Sequence, residues 1–371
     1  MQSNSWAGKQ SGAWAKFVEM LGRGKKTMIP FSPLLQEDLQ HVLAHARPAL
    51  ESMAGSRWFV TGGTGFFGKW LLECICAAND VINSEISAVI LSRNVEHFKK
   101  RMPHLAARTE LSWLSGDVTD FRFPSGKFNY VAHMATSTST YLNQANPRAV
   151  IDTIVRGTDR VLAFSEQSGV QHLLLTSSGA VYGPQPPTLD HIGENYGGGP
   201  DVLSPGAAYA EGKRIAELLC ASSSISCTIA RCFAFIGPHL PLDTHFAAGN
   251  FLRDALNGKP IMVHGDGLTI RSYLYAADLT IWLLALQAFG EAGRAYNVGS
   301  DEPISIRGLA ERIGAQGFTT EIRLLGESDG KPNRYVPDVS RIANELGQRQ
   351  TITIDDAVRR TLNWHKVKPV G

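Results

Sequence analysis

The stretch from Trp58 to Gly68, WFVTGGTGFFG, decides the fold that this sequence predicts. The four residues RWFV that end at Val60 are mostly apolar and partly aromatic, as a short buried strand requires. A glycine-rich turn follows at once, and the residues from Lys69 to Ala78 have the apolar spacing of a buried helix. A strand, a glycine turn and a helix in this order bring backbone amides and a helix N-terminus close to a pyrophosphate. The stretch therefore predicts a dinucleotide site whose contacts are Gly62, Thr64, Gly65, Phe66, Phe67 and Gly68.

The composition of the whole chain is that of a globular enzyme. Apolar residues make up 43% and charged residues 19% of 371 residues, enough for a large core in two domains or one enlarged domain. The formal charge of +2 is too small to indicate a nucleic acid or an anionic membrane as partner. No apolar run reaches the roughly 18–20 residues of a membrane span. Five irregularly spaced cysteines favour reduced thiols in the cytoplasm over a disulfide framework, and no metal-ligand cluster is visible.

The segment before the glycine turn predicts a tail and one helix. Residues 1 to about 28 are rich in Gly, Ser and Lys and lack the apolar core of a signal peptide. Ser32 and Pro33 then form an N-cap and first-turn pair, and apolar residues keep a helical spacing up to Pro48. We expect this helix to pack on the outside of the main domain.

The segments after the glycine turn alternate between strands and helices. Further buried strands are expected at Ser87–Leu91, Leu111–Leu114, Tyr130–Ala135 and Val170–Leu175, with a helix at Ile151–Gly169. This alternation predicts an α/β fold with a doubly wound, mostly parallel sheet. Ligands bind such sheets at the carboxyl ends of the strands, where the sequence places Arg93, Asp117, Val118, Ala135 and Ser178.

The residue at the end of the second strand bears on the choice of cofactor. An acid at this place would accept a hydrogen bond from the ribose 2′-hydroxyl of NAD, whereas a cation suits the 2′-phosphate of NADP. Arg93 stands there and no acid does. The sequence thus leans towards NADP, with NAD left open because an arginine at such a place can also point into solvent. His133, at another strand end, is interpreted as a packed histidine rather than a base.

Three side chains beyond the fifth strand offer acid–base chemistry. Tyr209 and Lys213 are four residues apart, so both lie on one face of a helix expected over Tyr209–Ala221. A phenol with a pKa near about 10 is a poor base at neutral pH, and a nearby ammonium favours the phenolate. Ser178 supplies a hydroxyl that can hydrogen-bond the reacting oxygen. Tyr209, Lys213 and Ser178 are therefore the predicted catalytic residues.

The motifs TGGTGFFG, GDV, TSSGAVYG and YAEGK together resemble those of the extended short-chain dehydrogenase/reductases, specifically the NAD-dependent epimerase/dehydratase family acting on nucleotide sugars. The resemblance implies a Rossmann-type sheet with a smaller, interleaved C-terminal substrate-binding domain. It implies a tail and packing helix over 1–55 and a dinucleotide-binding domain over 56–232 with returning segments near 268–299. Residues 233–371 would then mainly bind the nucleotide sugar.

The resemblance also implies ligands and an assembly. The cofactor would be NAD(P), and its contacts would include Tyr209, Lys213 and Phe233. Among the later motifs, Asn250 opens a helix in the substrate region, and Arg271 and Arg334 match arginines that clamp the sugar-nucleotide diphosphate. A homodimer formed through two helices per subunit is a further implication.

Departures from the family pattern bear on the type of reaction. In the 4,6-dehydratases the hydroxyl residue is followed by Asp-Glu, and similar decarboxylases retain the Glu. Here Ser178 is followed by Gly179 and Ala180, which cannot move a proton. The sequence therefore favours a 4-epimerase or a 4-keto reductase. A dehydratase or decarboxylase using Glu194 or Glu211, and a non-catalytic NADP-binding sensor, are the alternatives.

Overall fold

The computed structural model describes residues 33–136, 145–243, 246–316, 321–326 and 333–367. The tail expected over residues 1–28 lies outside these ranges. Within them, no helix combines the length and the apolar character needed to cross a membrane.

A seven-stranded parallel sheet organises the first part of the chain, which confirms the predicted fold class. Its strand order is β3-β2-β1-β4-β5-β6-β11. The strands are β1 (Arg57–Thr61), β2 (Ser87–Ser92), β3 (Leu111–Ser115), β4 (Tyr130–His133), β5 (His172–Ser178), β6 (Cys227–Cys232) and β11 (Ala295–Val298). Because all neighbours are parallel, the carboxyl ends of β1, β2, β4 and β5 lie along one edge of the sheet.

Helices cover both faces of this sheet, and others pack on the short strands of the second region. They are α1 (Pro33–Ser52), α2 (Phe66–Ile82), α3 (Val95–Arg101), α4 (Pro103–Ala106), α5 (Pro147–Ser168), α6 (Ala208–Ala221), α7 (Ala247–Leu256), α8 (Ala276–Phe289), α9 (Ile306–Gly314), α10 (Ser340–Leu346) and α11 (Ile354–Val367). Successive side chains of a strand point to opposite faces, so Trp58 joins the core beneath α2 and α8 while Phe59 joins the core beneath α5.

Several predicted helix boundaries are wrong, among them the start of the helix expected at Ile151–Gly169, which begins at Pro147. The first helix continues past Pro48 to Ser52, because the apolar stripe goes on through Leu50 into the core, and Met53 just after the helix is also buried. A proline inside a helix removes one hydrogen bond, and here burial of these side chains outweighs that loss. The later helix begins at Ala247, three residues before Asn250.

Short strands make up the second region of the molecule. These are β7 (Phe235–Ile236), β8 (Ile261–Val263), β9 (Ile270–Arg271), β10 (Leu274–Tyr275), β12 (Ile304–Ser305), β13 (Ile322–Leu324) and β14 (Arg334–Tyr335). They pair as β7 with β10, β8 with β13, and β9 between β12 and β14. The chain then returns, so that β11 pairs with β6 in the main sheet.

The loop between Gly183 and Gly206, which is rich in proline and glycine, lies away from the main cavity. Its described residues are absent from the walls of the main cavity. Instead the loop packs along the segment that follows β14, where Ile192 N donates to Val336 O at 2.9 Å and Asp338 N donates to Ile192 O at 3.0 Å.

Candidate active site

The turn after β1 is shaped by glycines that no other residue could replace without moving the backbone. Gly62 has φ +71°, and a Cβ there would lie 2.6 Å from the carbonyl carbon and oxygen of Met134. A Cβ on Gly68 would lie 2.3 Å from the Cα of Gly63, so α2 packs directly on the turn. Gly65 caps α2 without a side-chain hydrogen bond, which leaves the first amides of the helix to a ligand. This cradle fits the pyrophosphate of a dinucleotide.

The strand ends beside the turn place two of the predicted cofactor contacts near each other. Arg93 is exposed directly after β2. Asp117 Oδ1 accepts hydrogen bonds from Thr119 N (3.0 Å) and Thr119 Oγ1 (2.8 Å). Partial burial acts to raise the pKa of Asp117, but these hydrogen bonds and the charge of Arg93 hold the pKa below its usual value. Asp117 is therefore an ionised acceptor at neutral pH.

The predicted cofactor residues divide according to whether they reach the main cavity, which has a volume of about 1270 Å³. Those that line it are Gly62, Gly65, Phe66, Phe67, Tyr209, Lys213 and Phe233. Those that do not are Thr64, Gly68, Arg93, Asp117, Val118 and Ala135. Val118 is buried, and its Cγ1 would lie 2.9 Å from a Cβ on Gly157, so it packs between sheet and helix.

The three predicted catalytic side chains come together on one wall of the cavity. Ser178 is the last residue of β5, and its hydroxyl is near enough to the phenol of Tyr209 to favour the phenolate. Lys213, one turn further along α6, is buried, and its Nζ donates to Thr176 O at 2.7 Å. The same Nζ lies 6.0 Å from the centroid of the Tyr209 ring. The three residues that the sequence predicts to act together are therefore also close together in the structure.

The electrostatics of this trio differ from the simplest expectation. Burial raises the pKa of Tyr209 to about 12, and the hydrogen bond from Ser178 opposes that rise. Burial likewise lowers the pKa of Lys213 to about 8. The lowering of the phenol pKa that was expected from the ammonium is not found, because the cost of removing the phenolate from water dominates and only the Ser178 hydroxyl opposes it.

His133 is a packed residue, as the sequence analysis favoured. Its Nδ1 lies 2.7 Å from Thr61 Oγ1 and its Nε2 lies 3.2 Å from Thr158 Oγ1. Thr158 Oγ1 also donates to Ile154 O at 2.7 Å, so it accepts from the histidine. Burial, helped by the charge of Lys213, lowers the pKa of His133 to about 3. A neutral imidazole with both nitrogens engaged has no role as a base.

Besides Ser178, two of the four predicted substrate contacts line the cavity. Asn250 on α7 and Arg271 on β9 line the cavity, and Asn250 Oδ1 accepts from Arg253 at 3.1 Å. Arg271 donates to Ile270 O at 2.8 Å and to Asn333 O at 3.3 Å. Arg334 does not line the cavity; its guanidinium lies 3.6 Å from a carboxylate oxygen of Asp190.

Sequence reasoning missed several residues of the cavity. Tyr335 lines the cavity, and its ring lies 4.6 Å from the ring of Phe233 between centroids, with the two planes tilted by 35°. Further cationic or titratable side chains line the cavity at Arg253, Lys259, His264 and Arg323. No local signal marks these residues, because their segments meet only in the folded chain.

Comparison with known proteins identifies the family. Residues 58–299 match the model of the NAD dependent epimerase/dehydratase family, and the chain belongs to that family. It is therefore an enzyme of the NAD-dependent epimerase/dehydratase type with a Rossmann-type sheet.

Individual relatives differ in the reactions that their names state. A UDP-glucuronic acid decarboxylase of Xenopus tropicalis is 25% identical over 95% of this chain and 86% of its own length. The structure of a dTDP-glucose 4,6-dehydratase from Streptomyces venezuelae matches with a TM-score of 0.72 at 22% identity, covering 84% of this chain and 97% of the other. That of a UDP-glucuronic acid 4-epimerase from Bacillus cereus matches with a TM-score of 0.71 at 20% identity, covering 84% and 99%. The two structural matches support the fold alone.

Proposed function

We propose that this enzyme oxidises and reduces a nucleotide-linked hexose at C4, as a 4-epimerase or a 4-keto reductase. The observation that carries the proposal is the convergence of Ser178, Tyr209 and Lys213 on one wall of a cavity that begins at the glycine turn. A volume of about 1270 Å³ exceeds the ~300–1000 Å³ of an ordinary ligand site. It is large enough for parts of two ligands at once.

Each catalytic residue has a distinct role in this proposal. Tyr209 takes the proton of the sugar 4-hydroxyl in the oxidation direction and returns a proton to O4 in the reduction direction. Ser178 hydrogen-bonds the same oxygen, and the ammonium of Lys213 stabilises the phenolate form of Tyr209. The nicotinamide cofactor, when bound, accepts and returns the hydride and adds a positive charge that favours the phenolate.

The substrate wall supports an anionic ligand. The guanidinium of Arg271 is half-buried, and burial lowers its pKa. Its hydrogen-bond partners in the described part of the chain are carbonyl and amide oxygens, with no carboxylate among them. A half-buried cation of this kind gains most from a ligand anion, which a nucleotide diphosphate supplies. We assign Arg271 to the diphosphate, with Asn250 beside it and Arg334 at the outer edge.

A decarboxylase is the second candidate, because the Xenopus tropicalis relative described above carries that name. The carboxylates considered for such a lyase are engaged elsewhere. Glu194 Oε1 accepts from Asn297 N at 2.8 Å, and Glu211 lies 3.5 Å from Arg214. Neither lines the cavity. Among the described residues the carboxylate that does line it, Asp254, accepts from Arg253 at 2.8 Å. This arrangement favours the epimerase or reductase over the lyase.

The cofactor and the assembly are also proposals. We favour NADP over NAD because Arg93 is exposed at the end of β2, where a 2′-phosphate would lie. We also propose a cytoplasmic homodimer formed through α5 and α6. Leu218 on α6 is 64% exposed, and a leucine this open on a helix surface suits burial against a second copy. Light scattering of the purified protein would test the dimer.

The decisive experiment compares Tyr209→Phe with the wild type on a panel of nucleotide sugars, with products followed by mass spectrometry. We expect turnover to fall by about 10²–10⁴-fold, the usual contribution of a general acid–base group. Tyr130→Phe is the matched control, since Tyr130 lies on β4 against Trp58 and outside the cavity. A product of unchanged mass indicates epimerisation, a gain of two hydrogens indicates reduction, and a loss of carbon dioxide indicates the lyase. Full activity of Tyr209→Phe on every accepted sugar contradicts the proposal.

A further inference from the structure

We propose that Glu217 is a positioning residue for the reaction: its carboxylate fixes α6 on the carboxyl ends of β5 and β6, and so holds Tyr209 and Lys213 in place beside Ser178. The inference rests on the proposed function and extends it from the three catalytic side chains to a group that supports them. Glu217 does not line the cavity, so it acts through its neighbours rather than on a ligand.

The spacing along α6 places Glu217 in line with the two catalytic residues of that helix. Tyr209, Lys213 and Glu217 follow one another at intervals of four residues, so their side chains lie on one face of the helix. This face meets the end of β5, where Lys213 Nζ donates to Thr176 O at 2.7 Å. One turn further along the helix, Glu217 Oε1 accepts from Ser177 Oγ at 2.5 Å. Two successive turns of α6 are therefore hydrogen-bonded to two successive residues of β5, directly before its catalytic serine.

A guanidinium on the neighbouring strand binds the same carboxylate. Arg231 on β6 lies opposite Ser177 in the register of β5 with β6. Its Nη2 donates to Glu217 Oε2 at 2.7 Å, and its Nε donates to Glu217 Oε1 at 3.1 Å. Ser177 and Glu217 are buried. A buried carboxylate that is bonded to two adjacent strands is held in one position, and the helix that carries it is fixed with it.

Glu217 also supplies negative charge near the ammonium of Lys213. Burial lowers the pKa of Lys213 to about 8, and negative charge on neighbouring acids, among them Glu217, opposes this lowering. Other titratable groups around this ammonium in the described part of the chain are Tyr209 and Cys220 on α6, Cys232 on β6 and His133 on β4.

These other groups are uncharged where Lys213 titrates. Burial raises the pKa of Tyr209 and that of Cys232 to about 12. The neighbouring thiol of Cys227 and burial raise the pKa of Cys220, and burial lowers the pKa of His133 to about 3. The carboxylate that is paired with the Arg231 guanidinium is therefore the neighbour that carries negative charge near pH 8.

Two variants separate the position of α6 from the charge. Glu217→Gln keeps the shape of the side chain and an oxygen for Ser177, but it removes the charge. Ser177→Ala removes one hydrogen bond and leaves the pair of Glu217 with Arg231 intact. Glu166→Gln is the matched control, because Glu166 also accepts from a serine, Ser224 Oγ at 3.0 Å, but lies exposed on α5 and outside the cavity lining.

The kinetic test follows kcat and KM across the pH range. We expect Glu217→Gln to move the alkaline limb of kcat/KM down by about one pH unit, because Lys213 loses a nearby negative charge and releases its proton more easily. Its kcat should fall about tenfold, as for loss of a charge-assisted hydrogen bond, while KM changes less than about twofold. Ser177→Ala should lower kcat about three- to tenfold without moving the limb, and Glu166→Gln should behave as the wild type.

Three results would overturn the proposal. They are an unmoved limb in Glu217→Gln, a loss confined to KM, and an equal loss in Glu166→Gln. If Glu217→Gln does not fold, Ser177→Ala decides, and an unchanged kcat in that variant overturns the positioning role.

A titration of Lys213 itself separates this inference from the proposed function. Lysine labelled with ¹³C at Cε reports the pKa of the ammonium by nuclear magnetic resonance without turnover, and Lys213→Arg identifies the signal. We expect Lys213 to titrate near pH 8 in the wild type and about one pH unit lower in Glu217→Gln. An equal midpoint in the two proteins would refute the role of Glu217 even if the enzyme proved to be an epimerase. The expected shift in a protein that turns over no nucleotide sugar would support the placement of Glu217 and contradict the proposed function alone.

Discussion

The glycine cradle (Gly62–Gly68) and the substrate wall (Arg271 and Tyr335) are two sides of one cavity that are built in different ways. The cradle consists of consecutive residues, and its shape is enforced by backbone contacts of 2.3–2.6 Å that a Cβ would make. The wall consists of side chains from β9 and β14, which are far apart in the chain and meet in one short sheet. The comparison teaches that cofactor recognition here depends on backbone shape, whereas substrate recognition depends on charge and side-chain placement.

The largest expected effect is the loss of cofactor affinity in Gly62→Ala, which would disturb the backbone of the glycine cradle. The new methyl group would lie 2.6 Å from the backbone of Met134, which cannot move without distorting β4. We expect at least about a 100-fold loss of cofactor affinity, since a shift of about 1 Å in a positioned site can cost that much. Binding is measured by calorimetry and stability by thermal unfolding.

Gly169→Ala is the matched control for that variant. Gly169 has φ +68°, close to the +71° of Gly62, but a Cβ there meets nothing within 4 Å. It should therefore show only the conformational cost of a left-handed alanine, about 1 kcal/mol of stability, with cofactor affinity unchanged. If both variants lost affinity equally, the close approach at Gly62 would not be the cause.

The second-largest expected effect is on substrate binding by the substrate wall. Arg271→Gln removes the half-buried cation, and we expect the KM for the nucleotide sugar to rise about 10–100-fold, as for loss of a charge-assisted hydrogen bond. Arg334→Gln should raise KM less than about threefold, because Arg334 lies beside Asp190 and outside the cavity lining. Steady-state kinetics and cofactor titrations measure both variants. A loss of cofactor affinity in Arg271→Gln would contradict the division between cradle and wall.

The same division explains what the sequence could predict. The strands, the order of the elements and the grouping of Tyr209 with Lys213 follow from local periodicity, which one stretch of chain contains in full. Tyr335 and Arg253 could not be found in this way, because only the pairing of β14 with β9 and the packing of α7 bring them to the cavity. The end of α1 was missed for a related reason: the burial of Leu50 and Met53 depends on a distant helix, α8.

The activity should show a pH limit set by Lys213, which lines the cavity together with the cradle and the wall. Burial lowers the pKa of Lys213 to about 8, so its ammonium is present below about pH 8 and lost above it. Since the charged form supports the phenolate, kcat/KM should fall up to tenfold per pH unit above about pH 8. Lys213→Arg has a guanidinium that stays charged, so whatever activity remains should lack this limb. A limb that persists in Lys213→Arg would belong to another group.

The smallest expected effect concerns Arg93, which follows β2 beyond the glycine cradle. There the cofactor would be recognised by a single side chain rather than by the shape of the backbone. Arg93 is exposed beside Asp117, and the charge of Arg93 contributes to the low pKa of that carboxylate. Arg93→Ser removes a cation suited to a 2′-phosphate but leaves the glycine backbone intact. We expect the ratio of NADP to NAD affinity to fall about 5–10-fold, a range typical of one solvent-exposed charge contact with phosphate, with NAD affinity itself nearly constant. Calorimetric titration with each dinucleotide measures the ratio, and Arg122→Ser, at another exposed arginine, controls for general loss of positive charge. An unchanged ratio would mean that the 2′-position is recognised by backbone geometry as well, and that the cradle alone selects the cofactor.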